Sequence, residues 1–182
     1  MIFLTQLRQK QDKLVFDIIR VMISYSKPTI EDIHRIQKLL NETWRDTYTF
    51  RSKEELRKIA LFFHNTKALD SQIKNKNIFF RVARDEKQIL GVVTATQVAN
   101  KVNIGRLYVG PKHQGRGIGS RLLELAMSHY SSAEKIRVEV DTKNNISCSW
   151  YLSKGFKKVD VKTDTRTIKG ITFNLVVMEK EI

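Results

Sequence analysis

The sequence predicts an α/β (α+β) fold, in which helices flank a mixed, mostly antiparallel central sheet. The first observation is a meander: Asn77–Arg84 and Ile89–Val98 are strand-like runs around a short turn, and Lys101–Val109 follows after two residues. The second is the single helical segment between strands 101–109 and 135–141, which predicts a parallel pair with a right-handed crossover. No linker-like composition interrupts residues 22–182, so we expect them to form one domain.

The first half of this domain begins with one strand and continues with helices. Met22–Ser26 alternates as a strand does. Thr29 is a favourable N-cap for a helix whose apolar residues from 30 to 40 recur at helical spacing. Ser52 can cap a second helix, and the mixed, polar stretch 65–77 suggests a further short one.

The second half alternates helices and strands. A helix is predicted over 117–130, and residues 135–141 alternate between apolar and charged. A short helix over 144–154 meets Gly155 where a C-terminal glycine stop is expected. The predicted order is therefore β-α-α-β-β-β-α-β-α-β-β, and its last two strands are 156–165 and 171–180.

Residues 1–21 carry apolar clusters separated by charges. These clusters are too short to span a membrane, and the long apolar stretch of a signal peptide is absent. We interpret the segment as an N-terminal extension that forms an amphipathic helix. The alternative is that Met22 is the natural start, because the domain pattern begins there.

The composition limits the class of protein. The chain has 182 residues and a formal net charge of +14, which favours an anionic partner such as nucleic acid, an acidic membrane or a phosphorylated cofactor. Cys148 is the single cysteine, which excludes an internal disulfide framework and is compatible with a cytoplasmic location. The four histidines show no metal-ligand spacing, so we expect no metal site.

The segment Gln114–Gly119 holds glycines at 115, 117 and 119, between a strand and a helix. Glycines let the backbone approach a ligand closely, and the first turn of a helix offers unpaired N–H groups with partial positive charge. Such a turn predicts an anion site, although the same pattern is also found in simple connecting turns.

Two motifs resemble those of the GCN5-related N-acetyltransferases. Gln114, Gly117 and Gly119 match that family's Q/R-x-x-G-x-G/A turn, which follows its cofactor-binding strand. Downstream, Asn144, Tyr151 and Gly155-Phe156 resemble its closing helix, N-x(6)-Y-x(3)-G-F. The resemblance covers about Met22 to Lys180. It implies an acetyl-CoA-dependent enzyme whose parallel strand pair splays apart at the cofactor site.

The resemblance implies specific roles for two groups of residues. The thioester arm and pyrophosphate of acetyl-CoA are expected to contact Leu107, Tyr108, Val109, Gln114, Gly115, Arg116, Gly117, Ile118, Gly119, Ser120, Asn144 and Tyr151. Tyr151 is also expected to protonate the departing thiolate, since a phenol is protonated at neutral pH. Its alternative role is that of an aromatic core residue beside Trp150.

This sequence departs from a common family pattern at the residue that is expected to act as general base. Many relatives carry Glu shortly before the end of the cofactor strand, where this chain has Asn103, Gly105 and Arg106. Glu139, twelve residues before Tyr151, matches the spacing seen in ribosomal-protein alanine acetyltransferases and is our candidate base. Two alternatives stay open: Glu139 and Asp141 as surface charges, or a base that acts through a chain of waters.

The acceptor is expected to be a primary amine. Trp44 to Tyr48 resembles a W-x-x-T-Y stretch of polyamine acetyltransferases, although Trp44 and Tyr48 also suit core packing, and Asp46 could face a cationic amine. A protein N-terminus or lysine is the alternative acceptor. The other function classes are a non-catalytic acetyl-CoA-binding regulator and a nucleic-acid-binding module, for which no recognition motif is seen. We expect neither nucleic acid nor membrane as a partner, and a homodimer stays open.

Overall fold

The computed structural model describes residues 23–86, 88–168 and 170–182. The extension predicted for residues 1–21 therefore lies outside the described residues. The strands are β1 (Ser24–Ser26), β2 (Phe79–Arg84), β3 (Ile89–Val98), β4 (Lys101–Val109), β5 (Lys135–Asp141), β6 (Lys157–Ile168) and β7 (Ile171–Glu181). The α-helices are α1 (Ile33–Thr47), α2 (Lys53–Phe63), α3 (Thr66–Lys74), α4 (Ile118–His129) and α5 (Asn145–Ser153).

The seven strands form one mixed sheet in the order β1-β2-β3-β4-β5-β7-β6. All neighbouring strands run antiparallel except β4 and β5, which run parallel as predicted. The fold class predicted from the sequence is therefore confirmed.

The parallel pair is joined along less than half of β4. Lys101–Ile104 pairs with Lys135–Val138, and the pairing ends there. On the other edge of β4, Ala95 pairs with Ile104 but Thr94 pairs with Arg106, so Gly105 is the extra residue of a β-bulge. A bulge bends its strand, and here β4 and β5 separate beyond it.

Apolar side chains cover both faces of the sheet. On one face α4 packs against strand residues such as Val93, Ile136 and Met178. On the other face α1 and α3 pack against β2 and β3, with Leu40, Leu69 and Phe80 fully buried. The gap between β4 and β5 therefore has a helical layer on each side.

Local sequence signals explain several element ends. Ser52 Oγ accepts a hydrogen bond from Glu55 N (3.1 Å), and Glu55 Oε2 accepts one from Ser52 N (2.9 Å). These two bonds confirm the predicted cap of α2. Gly155, with φ of 85°, ends α5 as predicted. The first helix runs on to Thr47, past the predicted apolar run, and stretch 65–77 contains α3.

On β5, the structure excludes the surface position that was considered for Asp141. Asp141 is buried, and its carboxylate accepts from Arg51 Nη2 at 2.8 Å. Arg51 also donates to Thr172 O (3.2 Å) and lies over the Phe173 ring, so it ties the start of α2 to β5 and β7. Asp141 is thus a structural ion-pair partner and not a surface charge.

None of the helices within the described ranges is long and apolar enough to cross a membrane.

Candidate active site

The turn that joins β4 to α4 leaves its backbone open to a ligand. Gly115 and Gly117 have φ of 73° and 78°, and a Cβ at either position would meet no atom within 4 Å. Gly117 is the N-cap of α4, so it has no side chain to satisfy the first amides of the helix. Those amides and the positive end of the helix dipole fit an anionic group such as a pyrophosphate.

A groove of about 440 Å³ runs from this turn along the end of β4 to α5. Nine of the residues predicted for the cofactor line it: Leu107, Val109, Gln114, Gly115, Gly117, Ile118, Gly119, Ser120 and Tyr151. The groove also includes His113, Ile146, Ser147 and Trp150, which were not predicted as site residues. Trp150 was expected in the core, but it is half-buried, and its ring stands 3.5 Å from where a Cβ on Gly119 would be.

Three predicted cofactor residues lie elsewhere. Tyr108 points to the opposite face of β4, where its ring lies 6.1 Å from that of Trp44. Arg116 is outside the groove lining and donates from Nη1 to His113 Nδ1 (3.1 Å). Burial and this guanidinium lower the pKa of His113, so its ring is neutral and can accept that bond.

Asn144, the third of these residues, organises the start of α5. It is buried, and its Oδ1 accepts from Ser147 N at 3.0 Å as the N-cap of the helix. This bond fixes the first turn of α5, and the helix places Ser147 and Tyr151 at the groove. Through this contact Asn144 braces the turn between β5 and α5, and its contact with the cofactor stays a prediction.

A second cavity, of about 110 Å³, passes between the separated ends of β4 and β5. Five residues line both this passage and the groove: Leu107, Val109, Gln114, Ser147 and Tyr151. From the other face of the sheet it is lined by Thr43, Thr47, Tyr48, Arg106, Tyr108 and Glu139. The passage therefore adjoins the groove and reaches the face of the sheet that α1 covers.

Tyr151 lies where the groove and the passage meet. Its ring packs edge-on against Trp150 (4.9 Å) and Phe156 (5.1 Å), and 5% of the residue is exposed. Burial, with a further contribution from Tyr108, raises the pKa of the Tyr151 phenol far above its ordinary value. The hydroxyl therefore keeps its proton at neutral pH and is available there as a donor.

Glu139 lines the passage from β5, and its carboxylate is already ion-paired. Oε1 accepts from Lys162 Nζ at 2.7 Å and from Arg137 Nη2 at 3.3 Å, while about a third of the side chain is exposed. Both cations contact the same oxygen, which leaves Oε2 for a proton or a water. Glu139 and Tyr151 thus line one cavity, from different elements.

Aromatic side chains pack at and behind the α1 side of the passage. The Trp44 and Tyr48 rings stack at 4.2 Å, and Tyr48 is buried. His64 approaches Trp44 edge-on at 5.7 Å, and burial lowers its pKa to about 3, with Arg106 contributing. Trp44 packs as expected, whereas Tyr48 packs and also faces the cavity; Asp46 lies outside it.

The sequence singled out Arg106 merely as one of the positions without a carboxylate, yet it lines the passage. A charged residue within the otherwise uncharged run 104–109 is the signal that could have identified it.

Comparison with known proteins gives a consistent group of relatives. The acetyltransferase (GNAT) domain family matches residues 49–182. A spermidine N(1)-acetyltransferase of Thermoplasma acidophilum is 29% identical over 146 residues, which cover 76% of this chain and 90% of that protein.

Solved structures show the same arrangement of helices and strands. A PaiA N-acetyltransferase from Thermoplasma acidophilum, in complex with coenzyme A, superposes with a TM-score of 0.76 at 26% identity, over 88% of this chain and 99% of that one. The ribosomal-protein-S18-alanine N-acetyltransferase of Escherichia coli gives 0.65 at 15% identity, covering 88% and 94%, and shows the shared fold.

Proposed function

Since the chain belongs to the GNAT family and is an acetyl-CoA-dependent N-acetyltransferase, we propose that its acceptor is a small-molecule primary amine of the polyamine class. The observation that carries the proposal is the passage through the sheet, which leads from the groove to the α1 face. A cavity of about 110 Å³ suits a slender, unbranched alkylamine. The similarity to a spermidine acetyltransferase supports the same class.

In this proposal the acetyl group moves directly from sulfur to nitrogen. The acceptor, an ammonium ion in water, first loses a proton, because a free alkylamine has a pKa of about 10. Its nitrogen then forms a bond to the thioester carbon, and the carbonyl oxygen becomes negative. We assign the N–H of Val109 to that oxygen, since β4 has left its partner strand there.

Collapse of the intermediate breaks the carbon–sulfur bond and completes the proton transfers. Tyr151 donates its proton to the thiolate, and the nitrogen gives up its second proton to Glu139 or to a water bound by Glu139. That second proton returns to Tyr151 through water, which restores both side chains. The net products are the acetylated amine, coenzyme A and one proton released to solvent. Cys148 takes no part: it is buried outside both cavities, and burial raises the pKa of its thiol.

Release of coenzyme A from acetyl-CoA, measured with a panel of amines and peptides, tests this proposal. We expect the largest kcat/KM with linear di- and polyamines. A clear preference for peptides that carry a free N-terminus or a lysine would identify a protein acetyltransferase instead. Binding of acetyl-CoA without turnover on any acceptor would identify a non-catalytic regulator.

A further inference from the structure

Arg106 is the one arginine that is buried within the described residues, and it lacks the carboxylate partner that Arg51 and Arg84 have. Arg51 is paired with Asp141, and Arg84 is paired with Asp32 through two bonds of 3.0 and 2.8 Å. The guanidinium of Arg106 instead donates to Phe63 O (2.8 Å) and to Gln72 Oε1, and both acceptors are neutral. Only 9% of Arg106 is exposed, yet within the described ranges no carboxylate lies at ion-pair distance from its guanidinium.

This guanidinium keeps its charge. Burial lowers the pKa of Arg106, but an arginine is not deprotonated at neutral pH. The uncharged ionisable groups that line the passage with Arg106 are Tyr48, directly after α1, Tyr108 on β4 and Tyr151 on α5. His64, at the end of α2, also interacts with Arg106, and all four groups are neutral at that pH. Glu139 on β5 is the one anion among the residues lining the passage, and two cations hold it.

A buried positive charge beside a small cavity repels a cation that enters the cavity and attracts an anion. It disfavours an ammonium and so lowers the pKa of a bound amine, while it favours an oxyanion or a thiolate. These interactions are stronger in a desolvated cavity than in water.

We propose, on the basis of the proposed amine acetyltransferase function, that the field of Arg106 keeps the acceptor amine neutral in the passage and excludes a second positive charge from it. Arg106 acts without accepting the proton and without contacting the reacting atoms. The preferred acceptors are therefore amines whose nearest further ammonium group is several carbons away, so that it stays outside the passage.

The pH dependence of kcat tests the first part, because it reports ionisations in the enzyme–substrate complex. In Arg106→Gln we expect the inflection for amine deprotonation to rise by about one pH unit, which lowers kcat about tenfold at pH 7. Arg106→Lys should restore most of the loss. Arg84→Gln, which removes a guanidinium outside the passage, is the matched control and should leave the inflection unchanged.

Two further measurements separate this field from a structural role. With an acceptor whose amine pKa lies below 7, such as 2,2,2-trifluoroethylamine, the kcat deficit of Arg106→Gln should disappear. The preference of kcat/KM for 1,4-diaminobutane over 1,2-diaminoethane should narrow in the same variant. An unchanged inflection, or an equal deficit with the weakly basic amine, would overturn the proposal for Arg106. Absence of turnover with every amine would instead reject the proposed function.

Discussion

The two ends of the β4–β5 pair differ in strand pairing: one end is hydrogen-bonded and the other is not. At the paired end, main-chain bonds join Lys101–Ile104 to Lys135–Val138, and Glu179 adds ion pairs to Lys101 (2.6 Å) and Arg137 (3.8 Å). At the separated end the strands share no main-chain pairing, and side chains such as Tyr48 and Tyr151 line the cavity between them. The candidate site therefore lies where the two strands are unpaired, while the contacts of the paired end hold the sheet together.

Gly117→Asp is expected to have the largest effect on the separated end. The new carboxylate would occupy the open space of the turn, where the pyrophosphate is proposed to bind, and would repel it. We expect the affinity for coenzyme A to fall roughly a thousandfold by calorimetry, as like charges meet at short range. Gly170→Asp is the matched control: its φ is 81° and its Cβ also meets no atom within 4 Å, so it imposes similar strain outside the site. Equal losses in both variants would contradict a pyrophosphate site at Gly117.

Tyr151→Phe removes the hydroxyl at the junction and keeps the ring packing. We expect kcat to fall roughly tenfold to a thousandfold, within or slightly below the usual range for acid catalysis, with little change in Tm. Tyr130→Phe is the control, since that hydroxyl bonds Ala95 O (3.0 Å) and Phe79 N (3.3 Å) away from the passage. It should lower Tm and leave kcat unchanged. A stable Tyr151→Phe enzyme with full turnover would show that the thiolate leaves without this proton.

His64 makes the wall behind the separated end sensitive to acid. Burial holds its pKa at about 3 in the folded protein, below the unfolded value of 6.5. The unfolded state therefore binds the extra proton, and stability falls as the pH drops from about 6.5 towards 3. At pH 5 the free energy of unfolding should be about 2 kcal/mol lower than at pH 7 from this group alone. His64→Asn retains a donor for Asn41 Oδ1 and should flatten that slope in denaturant titrations; an unchanged slope would contradict the assignment.

Glu139→Gln is expected to give the smallest effect of the four, because Glu139 is already held by Lys162 and Arg137. We expect about a tenfold loss of kcat at neutral pH and a smaller one at high pH, where free amine is abundant. Glu179→Gln is the counterpart from the paired end and should cost stability without changing the pH–rate profile. An identical profile for Glu139→Gln and the parent would remove Glu139 from the mechanism.

Local patterns in the sequence were enough to predict most of the fold and the turn at the cofactor groove. Helical spacing, the Ser52 cap and the glycines of the turn are properties of neighbouring residues, so they can be read without tertiary information. The parallel pairing of β4 and β5 followed from the single helix that joins them.

The rest depended on contacts between distant parts of the chain. Asp141 is buried because Arg51, ninety positions earlier, reaches it. Tyr108 leaves the cofactor side because side chains alternate along a strand, and the bulge at Gly105 decides which face each of them takes. Trp150 contacts the groove because α5 packs beside the turn at Gly119, which no local pattern reveals.

The passage between β4 and β5 also has a pharmacological consequence. In the proposed arrangement the donor enters by the mouth of the groove and the acceptor by a mouth on the α1 face, so that both can be bound at the same time. A single molecule that joins coenzyme A to a linear polyamine through a short acyl bridge would thread the sheet and engage both mouths at once. Such a conjugate combines two affinities at the entropic cost of one binding event, and it should inhibit competitively against either substrate.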